Sequence, residues 1–463
     1  MEKIKKMFGA QDMTVGKPIV NLATFAVPLL VGNLAQQLYN TVDAIVVGKY
    51  VGKSALAAVG TAGPILNLLL LLFMGISTGA TILVSQYFGA QRPRELTSAV
   101  GTCLTLTAIA SLIIMIVGPL ITRPLMTLLG TPDDVYGMAV AYLNIICIGI
   151  IGGGYYNIVS GVLRGLGDSI SPLIFLVVAC VLNIFLDILF VAGLGMTADG
   201  VALATVIAQG ISAILCLWRL THMGGTLKLT RASLIPDKTM TKETVRLGLP
   251  SGLTQAIFSM AAIVVQSLTN SFGTGVIACS VVVMRVDGFA MMPNFTFGMA
   301  MTTFVGQNVG ARRLDRVHEG VRDGIRVGLL ISVVLVAIIL LFGRNLMELF
   351  TRADEKDVVE LGVHMMRILA LGYIAMAVTQ SLSGVMRGAG DTMTPMWISL
   401  ITTVVIRVPL AYGIAYFTRS EALPNGTPDS LYISLLISWI MGAIITTIFY
   451  RLGRWKDKAV VKE

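Results

Sequence analysis

The chain has 463 residues, of which 55% are hydrophobic and 13% charged, with a net charge of +9 and a mean hydropathy of +0.83. A soluble domain carries about 25% charged residues, so this composition excludes a protein whose surface mostly faces water. Residues 54–91 and 247–284 contain no Asp, Glu, Lys or Arg, whereas a membrane-spanning helix needs only about 20 such residues. Residues 333–342 are apolar at every position, which excludes the alternating pattern of a transmembrane β-barrel.

In chain order, the apolar segments predict twelve transmembrane helices. They lie at residues 22–48, 57–86, 97–121, 136–163, 171–193, 200–220, 247–272, 277–305, 323–343, 358–386, 394–417 and 430–450. Of the 34 Lys and Arg residues, 24 fall in the termini, in the loops on their side or at the span ends that face those loops, and 7 in the opposite loops. The positive-inside rule therefore places both termini in the cytoplasm of a plasma or inner membrane. The same bias explains the net positive charge without a nucleic-acid partner.

The sequence offers little for enzymatic or cofactor chemistry. All five cysteines lie in apolar segments, where small buried side chains are the expected interpretation, and the three histidines are far apart. We find no nucleophile–base set, metal-ligand spacing or nucleotide-binding motif. The sequence therefore predicts no enzyme, no cofactor, no bound structural metal and no use of ATP.

An internal repeat organises the chain. Residues 160–172 (SGVLRGLGDSISP) recur at 383–395 (SGVMRGAGDTMTP), at an offset of 223 and with eight of thirteen positions identical. A second match, residues 86–90 with 307–311, has an offset of 221. Two matches at nearly one offset indicate duplication, and halves of six spans share one orientation about an axis along the membrane normal. We predict an all-α integral membrane protein of two homologous six-helix bundles: lobes at 1–220 and 247–463, the second with a basic tail, joined by a cytoplasmic linker at 221–246.

The Arg-Gly-x-Gly-Asp part of each repeat is predicted to form a tight turn between helices, because glycines permit it and the following proline starts the next helix. Phosphate binding is the alternative interpretation. It is disfavoured because no strand precedes the glycines.

Ionisable residues inside spans are costly and are therefore functional candidates. In the first half, Asp43, Asp187 and Thr205 lie at one depth near the outer ends of spans 1, 5 and 6, and Asn183 precedes Asp187 by one helical turn. These four residues would form an all-oxygen site that suits a hard cation such as Na⁺, or a shared proton, because low dielectric disfavours charged carboxylates. A purely structural polar network is the alternative.

Span 1 contributes further candidates. Gln36, Tyr39 and Asn40 form a polar stripe with Asp43 at three- and four-residue spacing, which makes them substrate-cavity candidates. Pro28 lies in the same span, where a proline removes a helix hydrogen bond. It predicts either a fixed kink or a hinge that bends when Asp43 changes protonation.

The second half lacks counterparts of both carboxylates. Its intramembrane charges are Arg285, Asp287, Arg367 and Arg407, and span 8 also carries Met291, Met292 and Asn294. These seven residues are candidates for a substrate cavity, since flexible thioethers suit varied apolar shapes. Two alternatives to the cavity interpretation remain. Arg285 and Asp287 could form an ion pair with each other, and the methionines could be ordinary lipid-facing residues.

These motifs together resemble the multidrug and toxic compound extrusion (MATE) family over about residues 15–452. The resemblance rests on the Pro28–Asp43 span, on Gln86-x-x-Gly89-Ala90 with its Gln307 counterpart, and on the paired Arg-Gly-x-Gly-Asp segments. It implies two six-helix lobes, a V-shaped cavity and drug or organic-cation export against inward H⁺ or Na⁺. In DinF-like members, residues matching Asp43, Asn183, Asp187 and Thr205 form the cation site, and one matching Pro28 bends. The extra acidic residues of the NorM-like branch, in spans 7 and 10, are missing here.

The sequence therefore predicts a monomeric secondary antiporter that exports small amphipathic, cationic organic compounds from the bilayer or cytoplasm by alternating access. The alternative within transport is a flippase for lipid-linked precursors or saccharide lipids, whose cavities are strongly cationic. The arginines of the second half favour that alternative, and the two carboxylates of the first half oppose it. A channel or a structural membrane scaffold is a different class, which the duplication and the buried carboxylates disfavour.

Overall fold

A computed structural model describes residues 10–46, 53–128, 131–223, 227–348, 351, 356–421 and 423–461, without the side chains of residues 40–46, 53–56, 64 and 134. The first half contains helices α1 (Pro18–Val46), α2 (Lys53–Gly89), α3 (Pro93–Leu128), α4 (Asp133–Ile148), α5 (Ile150–Gly165), α6 (Ile170–Asp187) and α7 (Ala198–Thr221). The second half contains α8 (Lys238–Ser271), α9 (Thr274–Gly310), α10 (Leu314–Glu348), α11 (Lys356–Gly388), α12 (Met393–Leu400), α13 (Val408–Phe417) and α14 (Ser430–Leu452).

Two short π-helical segments interrupt this pattern. Ile188–Gly193 follows α6, and Ile401–Arg407 joins α12 to α13. Two 3₁₀ turns, Arg231–Leu234 and Arg454–Lys458, lie before α8 and after α14.

Eleven helical segments within the described ranges are long and apolar enough to span a membrane, and a bent pair makes up to twelve. The pair consists of α4 and α5, which meet at Gly149 at an angle of 50°. A side chain at Gly149 would collide with Val206, so glycine permits the close approach there. The all-helical membrane fold is thus confirmed, and the predicted fourth span is a broken one.

The surface of the helices is apolar where a soluble protein would be polar. Leu120, Ile263 and Leu341 are 71%, 72% and 75% exposed. In contrast, Asn183, Asp187 and Gln307 are fully buried, and all five cysteines are buried and unpaired with one another. This inversion is expected where lipid rather than water surrounds the protein.

The chain forms two compact units. One contains Thr24–Gly252 with the N-terminal residues up to Thr14, and the other contains Leu253–Lys462 with Val15–Ala23. Each unit has its own apolar core, the first around Phe73 and Leu143 and the second around Tyr373 and Met365. The predicted lobe limits at residues 220 and 247 stay a prediction.

Four glycines of the repeat allow helices to pack closely. A Cβ at Gly161 or Gly165 would lie 2.8 Å from the carbonyl oxygen of Ser77 or Thr81 on α2. The equivalent Gly384 and Gly388 press against the backbone of α9, where a Cβ would overlap carbonyl oxygens of residues 298 and 302. Glycines four residues apart let two helix backbones approach closely, so the repeated motif fixes the same helix pair in each unit.

The rest of the motif forms the predicted turn. Gly167 and Gly390 have φ values of +88° and +96°, which favour glycine. Asp168 then accepts hydrogen bonds from the Ser171 backbone N–H (2.9 Å) and hydroxyl (2.7 Å). Asp391 accepts equivalent bonds from Thr394 at 3.1 and 2.7 Å. These bonds satisfy donors that a helix start leaves open.

The segment before α8 docks on α3. The Thr105 hydroxyl donates to the Leu234 carbonyl oxygen at 2.6 Å, and the Asp237 N–H donates to the Thr102 hydroxyl at 3.2 Å. Between these contacts, Gly101 lies so close to Ser233 that a Cβ would overlap the Ser233 carbonyl. Glycine at 101 is therefore required for this docking.

We predict that Gly101→Ala displaces the 3₁₀ turn and destabilises the protein by about 1–3 kcal/mol, as overpacking does. The measurement is the rate of tryptic cleavage after Lys228 and Arg231, which should rise. Gly210→Ala is the matched control, because no atom lies within 4 Å of its Cβ position. Equal cleavage rates for wild type and Gly101→Ala would contradict the prediction.

Candidate functional site

The first unit places Asn183, Asp187 and Thr205 together. With its amide nitrogen toward Asp187, Asn183 donates to Asp187 Oδ2 at 3.0 Å, and its oxygen accepts from the Thr205 backbone N–H at 3.2 Å. This orientation satisfies both ends of the amide, whereas the opposite one directs its oxygen at the carboxylate. The Thr205 hydroxyl donates to the Val201 carbonyl at 3.0 Å. The three side chains therefore form one polar cluster between α6 and α7.

Burial makes this cluster chemically unusual. Asn183 and Asp187 have no exposed surface, and Thr205 is half-buried. A carboxylate away from water needs a proton, a cation or hydrogen-bond donors to offset its lost hydration. The arrangement of carboxylate, amide and hydroxyl oxygens can hold a proton or a hard cation such as Na⁺.

Asp187 is the last residue of α6, and the π segment Ile188–Gly193 begins immediately after it. A π turn departs from the i→i−4 hydrogen-bond ladder and is frequent at functional sites. Nothing in the sequence indicated this segment. A span of uniform apolar residues carries no signal for the change in helix type.

The other first-half candidates are only partly visible. Gln36 and Tyr39 are half-buried on α1, and Pro28 lies within that helix, which continues through it. The side chains of Asn40 and Asp43 lie outside the described residues. Whether Asp43 meets Asp187 therefore stays a prediction.

In the second unit, Asp287 lies near Tyr373 of α11 and near Arg407 at the end of the π segment Ile401–Arg407. No ion pair among the described side chains joins Asp287 to Arg285, which is exposed. Residues two apart on a helix point to different faces. Asp287 instead interacts electrostatically with Arg407, without a direct salt bridge among the described side chains.

The remaining second-half candidates separate by burial. Arg285 and Arg367 are exposed, whereas Met291, Met292 and Asn294 are 6%, 8% and 2% exposed. Asn294 donates to the Tyr373 carbonyl at 3.3 Å and accepts from the Ser332 hydroxyl at 3.1 Å. The structure places these three side chains within their unit rather than on its surface.

Sequence reasoning missed Tyr373 and the pair formed by Tyr432 and Ser280. The Tyr432 hydroxyl donates to Ser280 at 2.9 Å, both side chains are buried, and Tyr432 lies near Asp287 and Arg407. A tyrosine in an apolar span is common, so nothing in the sequence singled out Tyr373. Its position near Asp287 in the structure identifies it as part of the candidate site.

The MatE family model matches residues 28–189 and 250–413. The chain belongs to the MatE family. The probable multidrug resistance protein YoeA of Bacillus subtilis (strain 168) is similar, with 30% identity over 457 residues and 96% of each chain covered. Membership in the MatE family confirms the predicted resemblance and identifies a membrane transporter rather than an enzyme.

Solved structures share the fold of this MatE protein. Crystal structures of MATE in the straight and in the bent conformation match with TM-scores of 0.88 and 0.89 and identities of 23% and 22%. They cover 96% and 97% of this chain and 98% of those chains. A MOP superfamily transporter from Pyrococcus furiosus, described by a binding pocket of reverse polarity, matches with a TM-score of 0.88 and 23% identity, covering 96% of this chain and 97% of that one. At these identities the likeness concerns the fold, which is the two-lobed MATE-type transporter architecture.

Proposed function

We propose that this protein exports small amphipathic, cationic organic compounds in exchange for inward H⁺ or Na⁺. It acts as a monomer in a plasma or inner membrane, with both termini in the cytoplasm. The coupling ion binds at Asp43, Asn183, Asp187 and Thr205. The observation that carries the proposal is the buried Asn183–Asp187–Thr205 cluster in a chain of the MatE family.

Comparison supports the substrate class. The relative from Bacillus subtilis is named a probable multidrug resistance protein, and it is similar over nearly the whole chain. Multidrug export needs an energy source, and the sequence contains no nucleotide-binding motif. An ion gradient acting on a buried carboxylate supplies that energy without ATP.

Coupling requires the ion to bind two conformations differently, because equal affinity for both shifts nothing. Binding at Asp187 neutralises a charge that the low-dielectric interior disfavours. In the outward-open state this neutralisation also changes α1 through Asp43 and releases substrate. Loss of the ion inside resets the carrier to accept the next substrate.

The hinge of this cycle is Pro28. Its ring removes one helix hydrogen bond within α1, which lowers the cost of bending there. Crystal structures of a MATE exist in a straight and in a bent conformation, which supports a bending motion in this fold.

A flippase for lipid-linked precursors is the second candidate. It is favoured by the exposed Arg285 and Arg367. The similar transporter from Pyrococcus furiosus also favours it, because the reverse polarity of that protein's binding pocket suggests a different function for it. The buried acidic cluster of the first unit favours cation export instead.

The deciding experiment uses purified protein in liposomes that hold ethidium at the same concentration inside and outside. An imposed inward pH gradient and an imposed inward Na⁺ gradient are applied separately, and dye efflux is followed by fluorescence. We expect one of the two gradients to drive efflux against the dye gradient. Efflux that ignores both gradients, or transfer of labelled lipid instead of dye, would refute the proposal.

A further inference from the structure

Among the described residues of the second unit, several buried polar atoms lack hydrogen bonds, and three of them belong to side chains that lie near one another. Asp287 Oδ1, the Tyr373 hydroxyl and Arg407 Nε are all buried, and none of them has a partner among the described residues. The side chains come from α9, α11 and the π segment. A buried polar atom without a hydrogen bond costs about 1–3 kcal/mol, so three on neighbouring side chains mark a site rather than ordinary packing.

Among the described residues, no further charged group interacts with Asp287 or Arg407. Tyr373 is fully buried, and Tyr432 lies nearby with its hydroxyl committed to Ser280. Cys279 is a further titratable group beside Tyr432 in the described part of the chain, and it contacts the Met365 sulfur at 3.3 Å. Asp287 is therefore the carboxylate that balances Arg407.

The negative charge of Asp287 matters because the guanidinium of Arg407 stays positively charged under all ordinary conditions. If Asp287 were neutral, Arg407 would leave a full positive charge inside the lobe. In a low-dielectric interior such a charge acts over long distances and would repel a cationic substrate.

We propose that Asp287 is a specificity-determining residue, which neutralises Arg407 so that the second lobe tolerates cationic substrates. We call Asp287 and Arg407 the second-lobe charge pair. The inference rests on the proposed function, which it deepens by assigning the sign of the substrate charge to a particular pair. It predicts that loss of the carboxylate shifts preference toward anions.

The test uses two probes of matched size and opposite charge, tetraphenylphosphonium and tetraphenylborate. Their dissociation constants are measured on the purified full-length protein, and the readout is the ratio of the two. An unbalanced charge about 10 Å from the probe, at an effective dielectric constant of about 20, changes each affinity about tenfold in opposite directions. For Asp287→Asn we therefore expect the ratio to move by about a hundredfold toward the borate.

Paired variants separate this role from a structural one. D287N/R407Q should restore the wild-type ratio, because both charges are gone. D287N/R285Q should not restore it. Arg285 carries the same charge as Arg407 and lies on the same helix as Asp287, but its side chain is exposed. Ser332→Ala removes a neutral buried hydrogen bond in the same unit and should leave the ratio unchanged. Arg407→Gln alone should shift it toward the phosphonium.

A structural role would lower both affinities together and leave the ratio fixed, which would overturn the proposal. Equal rescue by R285Q and R407Q would also overturn it. If Asp287→Asn does not accumulate, an unchanged ratio in Arg407→Gln overturns it instead. Wild-type protein that binds the phosphonium but fails to export ethidium would refute the proposed function without altering the ratios on which this inference depends.

Discussion

Replacing Asp187 by asparagine is expected to abolish ion-driven efflux and to leave the protein folded. The amide has nearly the shape of the carboxylate and can still contact Asn183. It cannot take up a proton or supply the negative charge that a cation requires. In the liposome assay, efflux under the driving gradient should fall to the rate of protein-free vesicles. The folded yield, read from gel filtration in detergent, should match the wild type.

Asp199→Asn is the matched control. This carboxylate begins α7 and accepts hydrogen bonds from the Thr197 backbone N–H at 2.9 Å and hydroxyl at 2.8 Å. Asp199→Asn removes the same negative charge as Asp187→Asn, but from the start of a helix, and efflux should remain near the wild-type rate. Gradient-driven efflux by Asp187→Asn at the wild-type rate would exclude Asp187 from coupling.

The second large effect is expected from Gly384→Val. The Cβ alone would overlap the carbonyl oxygen of Gly298, and the two added methyl groups of valine would force α11 away from α9. Overpacking in a core typically costs about 1–3 kcal/mol, and here the obstacle is rigid backbone. We therefore expect destabilisation of about 3 kcal/mol or more, with a lower thermal midpoint and little folded protein.

Gly413→Val tests the same change without the clash, because no atom lies within 4 Å of its Cβ position. It should change the thermal midpoint little. Gly161→Val, at the repeat position in the first unit, should reproduce the effect of Gly384→Val. A stable Gly384→Val protein would show that this helix contact can relax, contrary to the packing described above.

Much of the fold could be predicted because hydropathy in a membrane protein reports span positions directly. The repeat also predicted the turns at Gly167 and Gly390. It did not predict that Gly161 and Gly384 serve helix packing, because spacing alone does not show which helix lies opposite. The break at Gly149 was missed, since residues 136–163 are apolar on both sides of it.

For the site, one-turn spacing was enough to place Asn183 beside Asp187. Contacts between residues far apart in the sequence were harder to predict, because they depend on which helices touch. The sequence left open an Arg285–Asp287 pair, and packing of α9 against α11 turned Asp287 toward Tyr373 and Arg407 instead. The π segments carry no compositional signal, so the change in helix type after Asp187 could not be predicted from the sequence.

The exposed apolar surface that includes Leu120, Ile263 and Leu341 determines how the folding of these variants can be assayed. In lipid or detergent, a separated helix keeps its own backbone hydrogen bonds because nothing else can replace them. A variant whose bundle has come apart would therefore retain a helical circular-dichroism spectrum. The five buried cysteines provide the missing signal: reaction with a maleimide reports when neighbouring helices part.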